Sequence, residues 1–393
     1  METFVTGLGV VTPVSCTLDG YWQAICSRSD RFSLRSGAYS VSAKPCIVGQ
    51  ISIEDTRYMA EVLRCRGLLP PEIEIASLYG LYAALRATDD AGLTPGSGAT
   101  QRIAIIVGNL EPNSRPFDSI AMMERVVATD RYQTFPSIDL CNQIEKLCGQ
   151  SVLRFVVHNT CASGNAALEF ADRLIRRGVI DTAIVGAADA FSERIFAGFS
   201  ALGVLGSERC RPFSKDRRFI TISEGAAIAV LQGEHVVEAS PYAKLVATAS
   251  SNDAHHATNP SQKGIEECLA KLFAKSPVPR EEVDFIFAHG TGSRANDQVE
   301  ASIFESSYSN SAISAIKGTV GHLMGVAGAL GTVSSCLSAK YRKLPPNNIT
   351  NSELEYNINA PGELTARGNN PVYVQNNSFG FGGSNSVSIF RSM

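Results

Sequence analysis

The chain of 393 residues has 35 Lys and Arg residues against 38 Asp and Glu residues, 44% apolar residues and 33 glycines. This composition can build a large buried core, so a mainly disordered chain is excluded. A formal net charge of −3 with 19% charged residues gives no overall basic field for nucleic acid, and a charged partner is expected only at a local patch. The length fits two or three domains, or one core made by fusing two similar halves, since single cores stop growing at about 250–300 residues.

The first sixteen residues, METFVTGLGVVTPVSC, lack a positive segment, and two glycines and a proline interrupt their apolar run. Neither a secretory signal nor a membrane span is expected there. The ten cysteines are scattered without a C-x-x-C pair or a Cys/His zinc spacing, so we expect reduced thiols and no metal site. These features predict a cytoplasmic protein with no membrane partner.

Short β-branched runs alternate with Ala/Leu-rich helical patterns, which is typical of an α/β protein with buried strands. The runs lie at residues 103–107, 155–157, 183–185 and 285–287. The polar residues 232–241 are the nearest candidate for a seam between domains. On each side of them a strand and a tight turn lead into a helix of small residues, which suggests a duplicated unit.

The first of these turns carries Cys161 within HNTCASGNAALEFADRLIRRG. Residues 162–177 have apolar side chains at helical spacing and Gly178 is a suitable stop, so Cys161 is expected at a helix N-terminus. Unpaired N–H groups and the helix dipole there would pull a thiol of pKa about 8.5 toward the thiolate. A buried structural cysteine is the alternative, although the small residues that follow leave room for a substrate.

Two of the six histidines, His289 and His322, follow apolar segments in turns rich in Gly and Thr. Loops at strand ends often present catalytic groups. One such histidine is more often structural, but two of them together with a cysteine at a helix start favour catalysis. Lys317, Asp297 and Glu300 lie close in sequence and supply charges that can tune imidazole and ammonium protonation.

The segment NNSFGFGGSN is rich in glycine but lacks the Lys-Ser/Thr of a P-loop, so nucleotide binding is not expected. Its glycines permit either a close approach of backbone N–H groups to a ligand or a plain tight turn before the last strand. No H-E-x-x-H, G-x-S-x-G or EF-hand pattern occurs, which removes the common metal and serine-hydrolase interpretations.

Taken in order, these segments resemble the β-ketoacyl-acyl-carrier-protein synthases, condensing enzymes of the thiolase superfamily with a Cys-His-His set. The resemblance covers nearly the whole chain and rests on TGLGVVTP at 6–13, TCASG at 160–164, GAAD at 186–189, RPF at 211–213, SEGA at 223–226, HGT at 289–291, KGTVGH at 317–322 and NSFGFGG at 377–383. It implies a thiolase-like, five-layered α-β-α-β-α fold. This fold would consist of two fused similar halves. Residues 1–239 would carry the nucleophile, and residues 240–393 would carry the histidine pair and the glycine loop. The resemblance also implies that the protein is usually a dimer.

The resemblance also implies a reaction, the decarboxylative Claisen condensation of an acyl group with malonyl-acyl carrier protein. Cys161 would take the acyl group from a carrier protein as a thioester, while His289 and His322 would hold the malonyl thioester and promote its decarboxylation. Lys317 would orient the site electrostatically. No bound cofactor is expected, because phosphopantetheine arrives on the acyl carrier protein.

Backbone N–H groups of Cys161 and Phe381 would form the oxyanion hole of the acyl transfers. Phe381 would also act as a gate, between the loop residues Gly380 and Gly382. The phosphopantetheine arm would contact hydroxyl side chains, namely Thr258, Thr291 and Ser293.

The chain departs from the pattern of this family in three places. An acidic residue usually follows the lysine by fourteen positions, where this chain has Gly331, so Lys317 is expected to find another anion in Asp297 or Glu300. The stretch SKDRRFI at 214–220 also differs, in a loop that the family uses beside the entrance of the active site. The stretch GNLEPNS at 108–114 differs as well, in the region that tends to shape the acyl pocket. These departures favour a specialised synthase, of a polyketide or polyene pathway, over the housekeeping fatty-acid enzyme.

Residues 209–218 carry a local charge of +4, five positive side chains against Asp216. Because acyl carrier proteins are strongly acidic, this stretch is a candidate docking patch. Its members would be Arg209, Lys215, Arg217 and Arg218. Alternatively, several of these arginines are internal structural ties, as we expect for Arg211.

Two other functions stay open from the sequence. A thiolase-like acyltransferase would transfer without decarboxylation, although no second cysteine accompanies the C-terminal glycine loop. The non-enzymatic alternative is a chain-length-factor-like subunit that shapes a cavity within a heterodimer. Such subunits typically lack the nucleophilic cysteine, so the Cys/His/His/Lys set argues against this role, although the chain could still be the catalytic half of such a pair.

Overall fold

The computed structural model describes residues 1–38, 40–93, 101–110, 138–149, 152–238, 240–368 and 370–393. Its strands within those ranges are β1 (Thr3–Val11), β2 (Phe32–Arg35), β3 (Cys46–Gly49), β4 (Ile103–Gly108), β5 (Leu153–Val157), β6 (Thr182–Asp189), β7 (Ile222–Ser223), β8 (Gly225–Gly233), β9 (Ala243–Asn252), β10 (Phe285–Phe287), β11 (Ala312–Ser314), β12 (Lys343–Leu344), β13 (Thr365–Ala366), β14 (Tyr373–Gly380) and β15 (Ser384–Arg391).

The α-helices within the same ranges are α1 (Leu18–Ser27), α2 (Ile53–Cys65), α3 (Ile75–Asp90), α4 (Asp139–Cys148), α5 (Ser163–Arg176), α6 (Glu193–Ala201), α7 (Gln262–Phe273), α8 (Arg294–Ser307), α9 (Lys317–Val320) and α10 (Ala327–Tyr341). The four apolar runs predicted as strands fall in β4, β5, β6 and β10. Each of these predictions is confirmed.

One long sheet orders its strands β11-β10-β14-β15-β9-β1-β8-β6-β4-β5. Five of these strands come from residues before 234 and five from residues after 242. The two sets meet where β1 pairs antiparallel with β9 through three residue pairs. Next to each catalytic turn the strands run parallel, since β5 pairs with β4 and β10 pairs with β11 and β14. Parallel strands end together, so the turns that follow them gather at one sheet edge.

Buried apolar side chains form three main layers around this sheet. The central cluster includes α5 and α10, packed between the two five-stranded sets. A second cluster packs α3 and α4 on the outer face of the first set, and a third packs α7 and α8 on the outer face of the second. This order confirms the five-layered α-β-α-β-α architecture.

The helix α10 can lie between two sheets because its side chains are small or apolar on every face. Its residues 328–339 are all buried. Such a helix has no polar face to turn toward solvent, so it must be covered on all sides.

Within the described residues, every helix is too short or too polar to pass through a lipid bilayer. All ten cysteines are free thiols. The division of the chain between 239 and 240 stays a prediction, and residue 239 itself lies outside the described residues.

Candidate active site

Cys161 lies in a short 3-10 turn directly before α5. The preceding Thr160 has a φ of 51°, a left-handed conformation that is uncommon for a β-branched residue. Two hydroxyl groups fix this turn. Ser163 Oγ donates to the carbonyl of Thr160 at 2.6 Å, and Ser378 Oγ donates to the carbonyl of Cys161 at 3.0 Å. The predicted place of Cys161 at a helix start is confirmed.

The ionisation of Cys161 differs from the prediction. Burial raises the pKa of this thiol to about 11, although the charge of Lys317 and the N–H groups of Cys161 and Phe381 oppose the rise. The thiol is only 6% exposed, so the loss of solvation outweighs the electrostatic stabilisation of a thiolate. The prediction of a thiolate near neutral pH is therefore wrong for this pocket. The predicted pair of N–H groups nonetheless approaches the sulfur.

The glycine loop after β14 lies directly against the nucleophile turn. A Cβ atom on Gly380 would lie 2.1 Å from Thr160 Oγ1 and 3.1 Å from the nitrogen of Cys161, so only glycine permits this approach. Thr160 Oγ1 donates to the carbonyl of Phe381 at 3.2 Å. Gly382 has a φ of 78°, which favours glycine. The loop thus carries Phe381 to the edge of the pocket.

The two predicted histidines form a pair in the structure. His289 follows β10 and His322 follows α9, and their ring centroids are 5.5 Å apart. Nδ1 of His322 accepts the N–H of Met324 at 3.2 Å, and Nδ1 of His289 lies 3.5 Å from Nζ of Lys317. Because each Nδ1 is placed to accept, we assign the proton of each neutral ring to Nε2.

Both imidazoles are held in the neutral form. Burial, followed by the positive charge of Lys317, keeps the pKa of His289 and of His322 well below the usual range. Neutral rings with Nε2–H groups are hydrogen-bond donors at pH 7. Two such donors beside a thiol are suited to hold an oxygen atom on which negative charge develops.

Lys317 is buried next to His289 and donates to its backbone carbonyl. In the part of the chain that the structure describes, Lys317 does not form an ion pair with a carboxylate. Burial lowers the pKa of Lys317, and the charge of Glu300 opposes that effect. The predicted partner anion thus acts from a distance and makes no direct ion pair.

The two predicted acidic residues accept hydrogen bonds from backbone N–H groups and do not pair with Lys317. Glu300 accepts the N–H of His289 at 2.8 Å and the N–H of Gly290 at 2.6 Å. Asp297 accepts the N–H of Phe213 at 2.8 Å, and burial raises the pKa of Asp297 to about 7. Their carboxylates therefore fix the loop that carries His289.

A cavity of ≈ 240 Å³ joins these groups. It brings together the predicted residues Cys161, His289, His322, Thr258, Thr291 and Ser293. Thr291 Oγ1 lies 2.9 Å from Ser293 Oγ, and Ser293 Oγ also accepts the N–H of Asn296 to cap α8. One wall is apolar and consists of Phe199, Leu202, Val204 and Ile220. The lining thus combines polar groups at the reacting end with an apolar wall.

Arg217 does not belong to a surface patch, so the prediction that it docks a carrier protein is wrong. Its side chain is 5% exposed, forms an ion pair with Glu355 and lies 3.8 Å from Asp297. Its guanidinium also covers the ring of Tyr356 at 4.9 Å. Arg217 is an internal tie between the loop at 211–220 and the segment at 353–356.

The other three patch residues are exposed. Arg209 and Arg218 have side chains 58% and 62% exposed, with Asp30 at 2.8 Å and Glu208 at 3.8 Å respectively. Lys215 is exposed and donates to a backbone carbonyl. The expected internal tie Arg211 pairs with Glu353.

Sequence reasoning missed three residues near the reacting groups: Phe199, Asn296 and Asn376. Asn296 donates through Nδ2 to Asp297 at 3.2 Å and to Glu300 at 2.9 Å. Single Phe and Asn residues inside helices and strands carry no sequence signal of their own. The departing stretch at 108–114 continues beyond residue 110 outside the described residues.

Comparisons with known proteins identify the family of the chain. The family model of the β-ketoacyl synthase N-terminal domain matches residues 2–236, and that of the C-terminal domain matches residues 242–350. The 3-oxoacyl-[acyl-carrier-protein] synthase 2 of Vibrio cholerae is 25% identical over 418 residues, which cover 99% of this chain and 98% of the relative. Nodulation protein E of Rhizobium meliloti is 29% identical over 81% of this chain and 82% of its own length.

The solved structure of the ishigamide ketosynthase/chain length factor has a chain that superposes with a TM-score of 0.87. It is 27% identical in sequence, and the superposition covers 100% of this chain and 99% of that chain. Both family models follow one another along the sequence and together match well over half of it. The chain with this Cys161, His289 and His322 pocket belongs to the β-ketoacyl synthase family.

Proposed function

We propose that the protein catalyses the decarboxylative Claisen condensation of an acyl group with malonyl-acyl carrier protein, in fatty-acid-like or polyketide chain elongation. One observation carries the proposal. A thiol and two neutral imidazoles with free Nε2–H groups line a single cavity of ≈ 240 Å³. A covalent thioester on such a thiol divides one difficult step into two easier ones.

In the first step, the sulfur of Cys161 attacks the carbonyl carbon of an acyl thioester on the carrier protein. The N–H groups of Cys161 and Phe381 hold the oxygen on which charge develops. The bond to the phosphopantetheine sulfur then breaks, and that thiol leaves with the proton that Cys161 loses. One thiol replaces another, so protons balance over the complete step, and the N–H groups of Cys161 and Phe381 and the charge of Lys317 oppose the rise in the pKa of the attacking thiol.

In the second step, the carbonyl oxygen of a malonyl thioester accepts the Nε2–H groups of His289 and His322. The bond to the terminal carboxylate breaks, carbon dioxide leaves, and its electron pair forms the enolate. The enolate carbon attacks the acyl carbonyl on Cys161, and the sulfur departs and regains a proton. Lys317 serves both steps, because its charge keeps the imidazoles neutral and favours the thiolate.

The donor would be an acyl carrier protein, which brings the phosphopantetheine arm with it, so the enzyme itself needs no bound cofactor. The name of the Vibrio relative supports this partner. Thr258 and Thr291 line the cavity at positions suited to the arm. Docking would use the three exposed cations Arg209, Lys215 and Arg218.

A dimer is the proposed assembly. β5 ends the long sheet, and its residues Phe155, Val156 and Val157 are only half-buried, with Leu153 46% exposed. An apolar edge strand of this kind is suited to pair with another chain. The similarity to the ishigamide ketosynthase/chain length factor supports a chain-length-factor-like subunit as one candidate, and a second copy is the other. Ten free thiols support a cytoplasmic location.

An acyltransferase without decarboxylation is the second candidate. A thiolase-type site would place a second thiol opposite the nucleophile, whereas Cys161 is the one cysteine among the described residues lining this cavity. Two Nε2–H donors side by side also suit an enolate oxygen, which forms in decarboxylation. Both observations favour condensation.

Intact-protein mass spectrometry tests the proposal. The protein is incubated with a panel of acyl-carrier proteins and then with malonyl-carrier protein. We expect a mass gain that Cys161→Ala abolishes and Cys65→Ala, a change at an exposed thiol, leaves intact. Malonyl addition should then discharge a product two carbons longer. Loading without discharge would support the acyltransferase or a missing partner subunit, and absence of loading would reject Cys161 as the nucleophile. The panel also reports the acyl preference that separates a specialised synthase from a housekeeping one.

A further inference from the structure

The charge of Lys317 has unusual surroundings. Its Nζ atom is buried, donates to the carbonyl of His289 and lacks a carboxylate within ion-pair distance among the described residues. The nearest influential acid, Glu300, uses its two oxygens for the N–H groups of His289 and Gly290. A buried ammonium normally needs a close anion. Something else must therefore occupy the space beside it.

That space is a small cavity of ≈ 10 Å³, lined by Lys317, Gly331, Asn376 and Asn377 together with apolar neighbours. A volume of about 10–15 Å³ holds one water molecule and leaves no room for a carboxylate side chain. A Cβ atom built on Gly331 would lie 2.0 Å from Oδ1 of Asn376, 2.7 Å from its Cγ and 3.0 Å from its Nδ2. A side chain at position 331 would therefore displace the amide of Asn376 from its hydrogen bonds.

The same amide connects the two central helices. Nδ2 of Asn376 donates to the carbonyl of Gly328 in α10 at 2.9 Å and to Oδ1 of Asn165 in α5 at 3.3 Å. The helix α5 begins just after Cys161, and α10 begins five residues after His322. One side chain on β14 thus joins the elements that place the thiol and the second imidazole.

We propose that Asn376 is a positioning residue of the condensing site. Its neutral amide fixes α5 against α10 and keeps position 331 free of a side chain. Lys317 therefore faces an amide and not a carboxylate. The proposal rests on the roles given above to Cys161, His322 and Lys317. It joins the glycine at 331 and the asparagine at 376 into one coupled feature. A side chain at position 331 is then more harmful while Asn376 is present than after Asn376 has been replaced.

The steric part is tested by thermal unfolding, without reference to activity. Gly331→Ala should lower the Tm by about 5 °C, a typical shift for overpacking a core. In the Asn376→Ala background, which removes the three nearest atoms, the same change should cost less than about 2 °C. Gly80→Ala is the matched control, because its Cβ would meet the side chains of Leu140 and Ala188 in the first set of strands and helices. Its effect should be equal in both backgrounds.

The electrostatic part is tested by the pH profile of malonyl decarboxylation. The comparison is Gly331→Glu with Gly331→Gln, both in the Asn376→Ala background, which makes room for either side chain. A carboxylate beside Lys317 keeps the ammonium charged to higher pH, so the alkaline limb of the Glu variant should lie about one unit above that of the Gln variant. If position 331 did not face Lys317, both variants would have the same limb.

Two results would overturn the inference: equal cost of Gly331→Ala in both backgrounds, or coincident alkaline limbs for the Glu and Gln variants. A wild-type enzyme that loads an acyl group but releases no carbon dioxide would instead reject the proposed function. The thermal comparison would still decide whether Asn376 and Gly331 are coupled.

Discussion

The rings of Phe199 and Phe381 stack with centroids 5.6 Å apart and planes inclined by 16°. Phe381 belongs to the glycine loop against the nucleophile turn, and Phe199 belongs to α6 in the cluster of apolar side chains below it. Both rings line the cavity that contains Cys161. An aromatic contact between a loop and a helix thus holds the loop over the thiol.

Replacing Phe199 or Phe381 by a smaller side chain should make the thiol of Cys161 more accessible. A stacked aromatic pair contributes about 0.5–1.5 kcal/mol beyond its buried area, so Phe199→Leu should speed alkylation of Cys161 by about 3–10-fold. Iodoacetamide labelling followed by mass spectrometry measures the rate. Tyr341→Leu, which breaks the distant Trp22–Tyr341 ring pair, is the control and should leave the rate unchanged. A rate that Phe199→Leu does not raise would show that the stack does not limit access.

The neutral histidine pair predicts the acid side of the pH profile. The pKa values of both rings lie well below the ordinary value of about 6.5, so both rings stay neutral, with Nδ1 as an acceptor and Nε2–H as a donor, at and above that pH. Malonyl decarboxylation should therefore show no acid limb between about pH 8 and about pH 6.5. In Lys317→Met the charge that lowers these pKa values is lost, and the limb should move upward by about one unit.

Lys317→Arg, which keeps a positive charge, is the control for that change and should leave the acid limb near its wild-type position. Wild-type activity that already falls with a midpoint near pH 7 would contradict the assignment of neutral imidazoles.

Arg217 should matter for stability, whereas its neighbour Arg218 should not. Arg217→Ala leaves Asp297 buried without its nearest cation and removes the ion pair to Glu355. Breaking a buried pair typically costs about 3 kcal/mol of the free energy of unfolding. Arg218→Ala changes an exposed side chain with a long contact to Glu208 and should cost less than about 0.5 kcal/mol. Urea unfolding of the two variants measures the difference, and equal midpoints would refute the internal tie.

The exposed cations should govern carrier docking. Charge reversal in Lys215→Glu and Arg218→Glu should raise KM for carrier-bound substrates and reduce its dependence on salt, because charge complementarity mainly steers association. Steady-state kinetics at low and high ionic strength test this. The matched control is Lys263→Glu, an exposed lysine on α7. If KM does not change in the first two variants, this stretch is not part of the interface.

The sequence could predict the parts of the site that depend on local chain geometry. Cys161 before a helix, His289 after a strand and the glycine loop each follow from short-range patterns, and their fixed order led to the fold. The alternation of strands with helices predicted an α/β protein with buried strands, whereas the five layers were implied by the family resemblance. These features need no knowledge of distant contacts.

The remaining features depend on contacts between distant parts of the chain. Burial raises the pKa of Cys161 to about 11, and a helix-start pattern does not reveal how completely the thiol is desolvated. Arg217 pairs with Glu355, 138 residues away in the sequence. The local sequence does not reveal this partner and therefore indicated an exposed side chain. Asn376 lies next to Gly331 although the two residues are 45 positions apart in the sequence, and neither residue type predicts this contact.

The division of the long sheet into two sets of strands, which meet where β1 pairs with β9, has a consequence for biosynthesis. Cys161 stands in the turn after β5, in the set of strands made first, while His289 and His322 come from the set made last. A ribosome-bound chain that has folded only the first of these two sets of strands presents Cys161 without His289 and His322. Such an intermediate has no means to decarboxylate a malonyl group, so condensation is confined to molecules whose synthesis is finished.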